Sequence, residues 1–303
     1  MASVLFTICF LIFVAIMDYP YISRIINEKI QGEVVVNYQS NVENIEQKKK
    51  QQMLEDAIDY NKKLATGLSE IGEVSFQNEE IVDEEYENVL AIKDYGVMGI
   101  IRIPRIDVSL SIFHGTSEHS LENGSGHLEG SSLPIGGEST HTCLTAHRGL
   151  ANKKMFTNLD LLENGDVFYI DVLGRTLAYE IYQITVVLPH EVDLIAIEEG
   201  EDLATLITCT PYGINSHRLF VQGKRIPYEA QKEPPLSVPT IVFNYWWIVA
   251  TVLLLIWMVI MLWWFNKENK EIPTEISEEI PREILEETTR EMSEEIIREI
   301  PEE

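Results

Sequence analysis

The sequence is short of cysteine, of positive charge and of metal-ligand spacing. Its 303 residues include 3 Cys (Cys9, Cys143 and Cys209), and no CxxC or HxxxH spacing occurs. That count supports no disulfide framework, and the spacing supports no zinc site. Lys and Arg number 23 against 49 Asp and Glu, a net charge of −26. A nucleic-acid partner held through a basic face is therefore not expected. Charged side chains are missing altogether from residues 234–266.

Within that uncharged stretch, "YWWIVATVLLLIWMVIMLWWF" (245–265) is long enough to cross a bilayer at about 20 residues per helical crossing. Tryptophans stand at both of its ends, where amphipathic rings prefer the interface. The expected transmembrane helix is 241–265. The run "ASVLFTICFLIFVAIM" (2–17) is shorter and lacks a basic leader. Residues 1–22 are read as an uncleaved membrane anchor, with a cleaved signal or a buried helix as alternatives. Basic residues flank both runs, and more than 200 residues separate them, so charge leaves the orientation open.

Glycine and proline are also missing from 39–66, where Val42, Ile45, Leu54 and Ile58 are spaced for one helical face. Residues 23–70 are read as a helical lead-in, and the acidic 71–95 as a long, lid-like surface loop. From Val97 the texture changes. "VMGIIRIPRI", "VSLSIF", "HTCLTAH", "DVFYIDVLGRTLAYEIYQITVVLP", "LATLITC" and "HRLFVQGKRIP" are β-rich runs punctuated by Gly, Pro and Asn. Gly174 marks a hairpin between two of them. Many short strands within 96–230 predict a mostly β fold closed into a small barrel. The tail, 266–303, holds 14 acidic and 5 basic residues and repeats every eight from Lys270 ("KEIPTEIS", "EEIPREIL", "EETTREMS", "EEIIREIP"). It is read as a solvated low-complexity segment, with a partner-binding helix as the alternative.

"TLITCTPYGINSHRLF" (205–220) ends a strand pattern on Cys209 and brings Arg218 nine positions later, across a turn containing Pro211 and Gly213. A thiolate needs a base or a positive field, and an acyl intermediate needs oxyanion donors. Arg218 offers a permanent charge and a donor fork. Among seven histidines, His147 is best placed as proton carrier, because it ends "HTCLTAH" just before a turn. His217 adjoins Arg218 and so points to the opposite strand face. On spacing alone, a buried structural thiol at 209 remains open beside the nucleophile.

"TLITC" fits the T-L-x-T-C signature of sortases, and "CTPYGINSHRLFVQGKRIPY" resembles the nucleophile strand and loop of the class C, pilus-assembling sortases. "HLEGSSLPIGGESTHTCLTAHRGL", "FTNLDLLENGDVFYI" and "YGVMGIIRIPRI" resemble further family segments, so the likeness covers about 95–228, and it extends to "YPYISRIINE" and the second apolar run. The resemblance implies an eight-stranded sortase-type β-barrel with N-terminal helices and two membrane segments. It implies Cys209 as nucleophile, His147 as general acid/base, and Arg218 as the group that steadies the oxyanion or holds substrate. It implies no metal or organic cofactor. The reaction implied is transpeptidation. Cys209 attacks the Thr–Gly bond of an LPXTG-type signal, and the thioacyl-enzyme is resolved by an amine, typically a pilin lysine. The implied partners are pilin or surface-protein substrates with C-terminal sorting signals, together with the membrane. The catalytic domain would be extracellular and the tail cytoplasmic.

The chain departs from the family in places. No Asp-Pro-aromatic plug occurs in 67–95, where the acidic stretch reads as a solvated loop, with Phe76 as a substitute plug the alternative. Ala146 stands where the family often has glycine. Cys143 shares a strand face with His147 by alternation and is read as core, with a redox pair to Cys209 as the alternative. His127 and His141 are read as structural. The competing functions are a wall-anchoring or mainly hydrolytic sortase, and a non-enzymatic membrane scaffold recruiting partners through its tail.

Overall fold

The computed structural model describes residues 2–67, 84–92, 96–150, 152–229, 241–268 and 290. The chain divides into two units: Leu11–Ile241, which holds the barrel, and Met1–Phe10 with Val242–Glu303. Phe76 and most of the octad tail lie outside the described residues.

Helix α1 runs unbroken from Ala2 to Asn44, across the boundary expected at residue 22. Helix α2 follows at Gln47–Ala65. The apolar face read from the sequence is the buried one. Val42 is 3% exposed, and Ile45, Leu54 and Ile58 pack against the core clusters. Among the described residues, one stretch, Thr7–Asn44 in α1, is long and apolar enough to cross a membrane. The second expected span falls in helix α5 (Ile241–Glu268), whose described apolar part is Val249–Trp264. The side chains of 245–248 and 265 lie outside the described residues.

Eight strands form a closed barrel in the order β1-β2-β3-β4-β7-β8-β6-β5. They are β1 (Val97–Ile103), β2 (Val108–Phe113), β3 (Ser125–His127), β4 (Thr140–Thr145), β5 (Val167–Val172), β6 (Arg175–Val187), β7 (Asp202–Thr210) and β8 (His217–Ile226). Alternation sends Leu144, Phe168, Tyr179, Leu206 and Val221 into one interior cluster. At Gly223 a Cβ would lie 2.5 Å from the Phe168 ring, so the interior closes around a missing side chain. Leu173 and Gly174 join β5 to β6 with positive φ at both positions, the two-residue turn that matches strand twist.

Two local features depart from the sequence reading. Strand β3 is absent from the apolar runs because it is three residues, Ser-Gly-His, held by two pairs to β2 and two to β4. The described part of the acidic segment, 84–92, is not a free surface loop. It forms helix α3 (Glu84–Asn88) and buries Tyr86 and Leu90, each 1% exposed. The Tyr86 hydroxyl lies 2.9 Å from His127 Nδ1 and accepts from the Gly115 N–H at 2.8 Å. His114 Nε2 donates to the Val89 carbonyl at 2.8 Å.

Strands β4 and β7 are parallel, whereas β7 and β8 are antiparallel. The carboxyl ends of β4 and β7 therefore lie together with the amino end of β8. Residues just past β4, at the end of β7 and at the start of β8 meet at one edge of the sheet.

Candidate active site

That edge carries all three candidate residues. Cys209 on β7 pairs in register with Arg218 on β8, so their side chains leave the same face on neighbouring strands. On the β4 side the last paired residues are Thr145 and Ile207. Continuing that parallel register by two residues sets His147 beside Cys209. The continuation is held by side-chain and backbone bonds. The Ala146 N–H donates to the Ile207 carbonyl at 3.2 Å, and the Thr208 hydroxyl donates to the Ala146 carbonyl at 2.8 Å. Arg148 Nη1 donates to Thr210 Oγ1 at 3.1 Å.

His147, Cys209 and Arg218 are all partly exposed. Each is thus reachable from solvent; the sheet fixes the backbones of Cys209 and Arg218, and His147 lies two residues past β4. The Arg218 guanidinium donates to the carbonyls of Asn215 and His217, which keeps it folded over the β7–β8 turn. That turn follows a cis Thr210–Pro211 bond and presents Tyr212 and Ile214, 58% and 71% exposed. On the other side of His147, its carbonyl accepts from the Phe156 N–H at 3.1 Å. Gly149 has φ +85°, and a Cβ there would sit 3.1 Å from the Tyr212 ring. The glycine lets the turn after His147 pass under that ring.

The same sheet face closes away from this edge. Cys143, Ile207 and Phe220 form a cluster with Leu128, Val187 and Ile195, the last from the β6–β7 connection. His141 fastens that connection, its Nδ1 donating to the Ala196 carbonyl and its Nε2 accepting from Thr205 Oγ1, each at 2.7 Å. Gln222 Nε2 adds a bond to the Leu194 carbonyl at 2.8 Å. Burial pushes the Cys143 thiol up to about 12 and holds the His141 imidazole below its ordinary value. His127, fully enclosed, is pushed down to about 4 by burial.

Cys143 aligns with Thr205, four residues along β7 from Cys209. At about 3.3 Å per residue the two thiols are roughly 13 Å apart along the sheet, too far for a disulfide. The redox-pair alternative is therefore set aside. Among the described residues no three His, Cys, Asp or Glu side chains form a group that could hold a metal ion. The ties made by Arg148, Thr208 and Thr210 were not legible beforehand. Their one signal is adjacency, since Arg148 follows the candidate base and the two threonines flank Cys209.

Comparisons with known proteins place the barrel in a family. Residues 101–226 match the sortase domain family. The chain is 41% identical to Streptococcus pneumoniae sortase C, covering 65% of this chain and 97% of that one, with a TM-score of 0.58. Clostridium perfringens sortase C, solved with the C-terminal cell wall sorting motif, is 40% identical over 65% of this chain and 99% of its own, with a TM-score of 0.56. Bacillus subtilis sortase D is 30% identical over 131 residues, 42% of this chain and 63% of the relative. The chain spans 61% to 63% of the length of the curated relatives it matches.

Proposed function

The chain belongs to the sortase family, and from that premise we propose that it is a membrane-anchored class C cysteine transpeptidase that joins pilin subunits. The observation that carries the reading is the single edge where Cys209 pairs with Arg218 and the β4–β7 register brings up His147. The Cys209 thiolate attacks the carbonyl carbon of the Thr–Gly bond in an LPXTG-type signal. Arg218 lies across the register pair and takes the developing oxyanion or the substrate carbonyl. As the tetrahedral intermediate collapses, the C–N bond breaks and His147 gives its proton to the departing glycine amine. A thioester to Cys209 remains. A lysine amine then attacks it, His147 takes the proton back, and the new amide leaves while the thiolate is restored.

Exposed Tyr212 and Ile214 offer apolar surface at this end, suited to the Leu-Pro part of such a signal. The Streptococcus pneumoniae relative has pilin substrate specificity, and the Clostridium perfringens one was solved with a sorting motif. The apolar helices α1 and α5 serve as two membrane spans, with the barrel outside the cell and the tail on the cytoplasmic side.

The test uses the full chain in detergent with an LPXTG-type peptide and a lysine-bearing pilin. Peptide–pilin product that depends on Cys209 and His147 supports the reading. Product from a Cys209→Ala variant would sink the mechanism. Resolution by water or hydroxylamine, but never by pilin lysine, would replace the polymerase with a hydrolytic or wall-anchoring enzyme.

A further inference from the structure

Arg148 has a guanidinium with two anchors and almost no contact with water. Its side chain is 8% exposed. Nη2 meets Asp160 Oδ2 at 2.6 Å, and Nη1 donates to Thr210 Oγ1 at 3.1 Å. Nε is buried without a hydrogen-bond partner. Enclosing a guanidinium with one donor unmet is costly, and an apolar side chain of similar length would fill the space at lower cost. The position of its partners explains what the charge and fork do there. Arg148 is the residue after His147, and Thr210 is the residue after Cys209. One hydrogen bond therefore joins the immediate successors of the base and the nucleophile, at the point where β4 has ended and regular pairing no longer holds the two chains together. Asp160 belongs to the 3-10 turn Leu159–Leu161, which directly follows the segment whose Phe156 N–H holds the His147 carbonyl.

We propose that Arg148 is a positioning residue for the transfer reaction: its fork clamps the His147 turn to the Cys209 strand end and sets the distance between imidazole and thiol. The inference rests on the transpeptidase reading for its role in turnover, but the clamp itself is tested separately, by the pH dependence of Cys209 alkylation. The hydrogen bonds of the Arg148 guanidinium go to Asp160 and Thr210, not to the Cys209 thiol or the His147 imidazole. Its loss displaces the base relative to the nucleophile, and a shift of about 1 Å in such a pair costs up to about 100-fold in rate.

The experiment compares Arg148→Met and Arg148→Lys in the full chain, in a Cys9→Ala background so that Cys209 is the reactive thiol. Two readouts are taken: kcat and KM for peptide cleavage, and the pH profile of Cys209 alkylation. For Arg148→Met, kcat should fall by about tenfold to 100-fold with KM within about threefold. Its alkylation profile should move toward that of His147→Ala. Arg148→Lys keeps the charge but cannot reach both partners at once, and should fall between Met and wild type. A wild-type kcat and alkylation profile in Arg148→Met would overturn the proposal. So would a lowered kcat with an unchanged alkylation profile, which marks a merely structural role. If Arg148→Met fails to fold by near-ultraviolet circular dichroism, Thr210→Val and Asp160→Asn each remove one anchor. Wild-type values in both would then overturn the clamp. Absence of peptide cleavage by the unaltered chain rejects the transpeptidase reading alone, and the alkylation profiles still decide the clamp.

Discussion

One sheet face carries two cysteine–histidine couples, and only one has the makings of chemistry. At the closed end stand Cys143 and His141, beneath the β6–β7 connection and Ile195. At the open end stand Cys209 and His147, at the mouth of the β7–β8 turn. The residue types are the same, but Cys143 and His141 both come from β4, whereas Cys209 ends β7 and His147 follows β4. Burial raises the Cys143 thiol to about 12, so no thiolate forms there near neutrality. His141 has both ring nitrogens engaged, one by a carbonyl and one by a hydroxyl, and has none to offer. At the open end both side chains are partly exposed, and Arg218 adds a fixed charge across the register pair. Reactivity follows from where strands end and what covers them, not from composition.

The largest effects should separate the couples outright. Cys209→Ala is expected to lower peptide transfer by ~10³-fold or more, as loss of a nucleophile does. Cys143→Ala should leave transfer within about threefold and cost about 1 kcal/mol of stability through the lost packing. Transfer assays and urea titrations on both variants check the pair. All five tryptophans lie between 246 and 264, outside the barrel, so its unfolding should be followed by tyrosine circular dichroism. Loss of transfer in Cys143→Ala with stability retained would break the distinction.

The histidines should divide in the same way. His147→Ala removes the proton carrier and should cost ~10²–10⁴-fold in kcat. His141→Ala should leave kcat within a few-fold and destabilise by roughly 1–3 kcal/mol, since the Ala196 carbonyl and Thr205 hydroxyl lose their partner. A smaller effect is expected for Arg218→Lys. The charge survives but the planar fork does not, and kcat/KM should drop by about tenfold to 100-fold. Recovery of full activity with Lys would show that charge alone suffices at that position.

The sequence made the open couple legible only in part. The alternation in "TLITC" placed Cys209 on a strand, and the nine-residue step to Arg218 allowed a hairpin, but spacing alone favoured a buried thiol. What brings His147 up to Cys209 is register: β4 and β7 are parallel although 56 residues separate Thr145 from Asp202, and no local pattern announces that pairing. The barrel itself was readable because each long strand sends alternate apolar residues inward. Strand β3 was not, being short and polar. Tyr86 was missed because its acidic neighbours gave the segment the texture of a solvated loop, while one aromatic side chain anchors it beside His127.

The smallest expected effect concerns acid, and it again distinguishes the ends. Burial is the main cause holding His141 below its ordinary value, opposed by the Ala196 carbonyl and the Glu198 charge. The folded chain therefore keeps this ring neutral where the unfolded chain, near its reference value of about 6.5, takes up a proton. The unfolded state binds more protons in that window, so stability rises with pH across it. The contribution is complete above about 6.5 and is lost as pH falls through the lowered folded value. His127, pushed down to about 4, acts in the same direction. Stability measured in urea should hold between pH 8 and 7 and decline from about 6.5 toward 4, less steeply in His141→Gln. Cys209 alkylation, governed by the open end, should be indifferent to that substitution. A His141→Gln variant with the wild-type slope would show that the closed end is wetter than its hydrogen bonds imply.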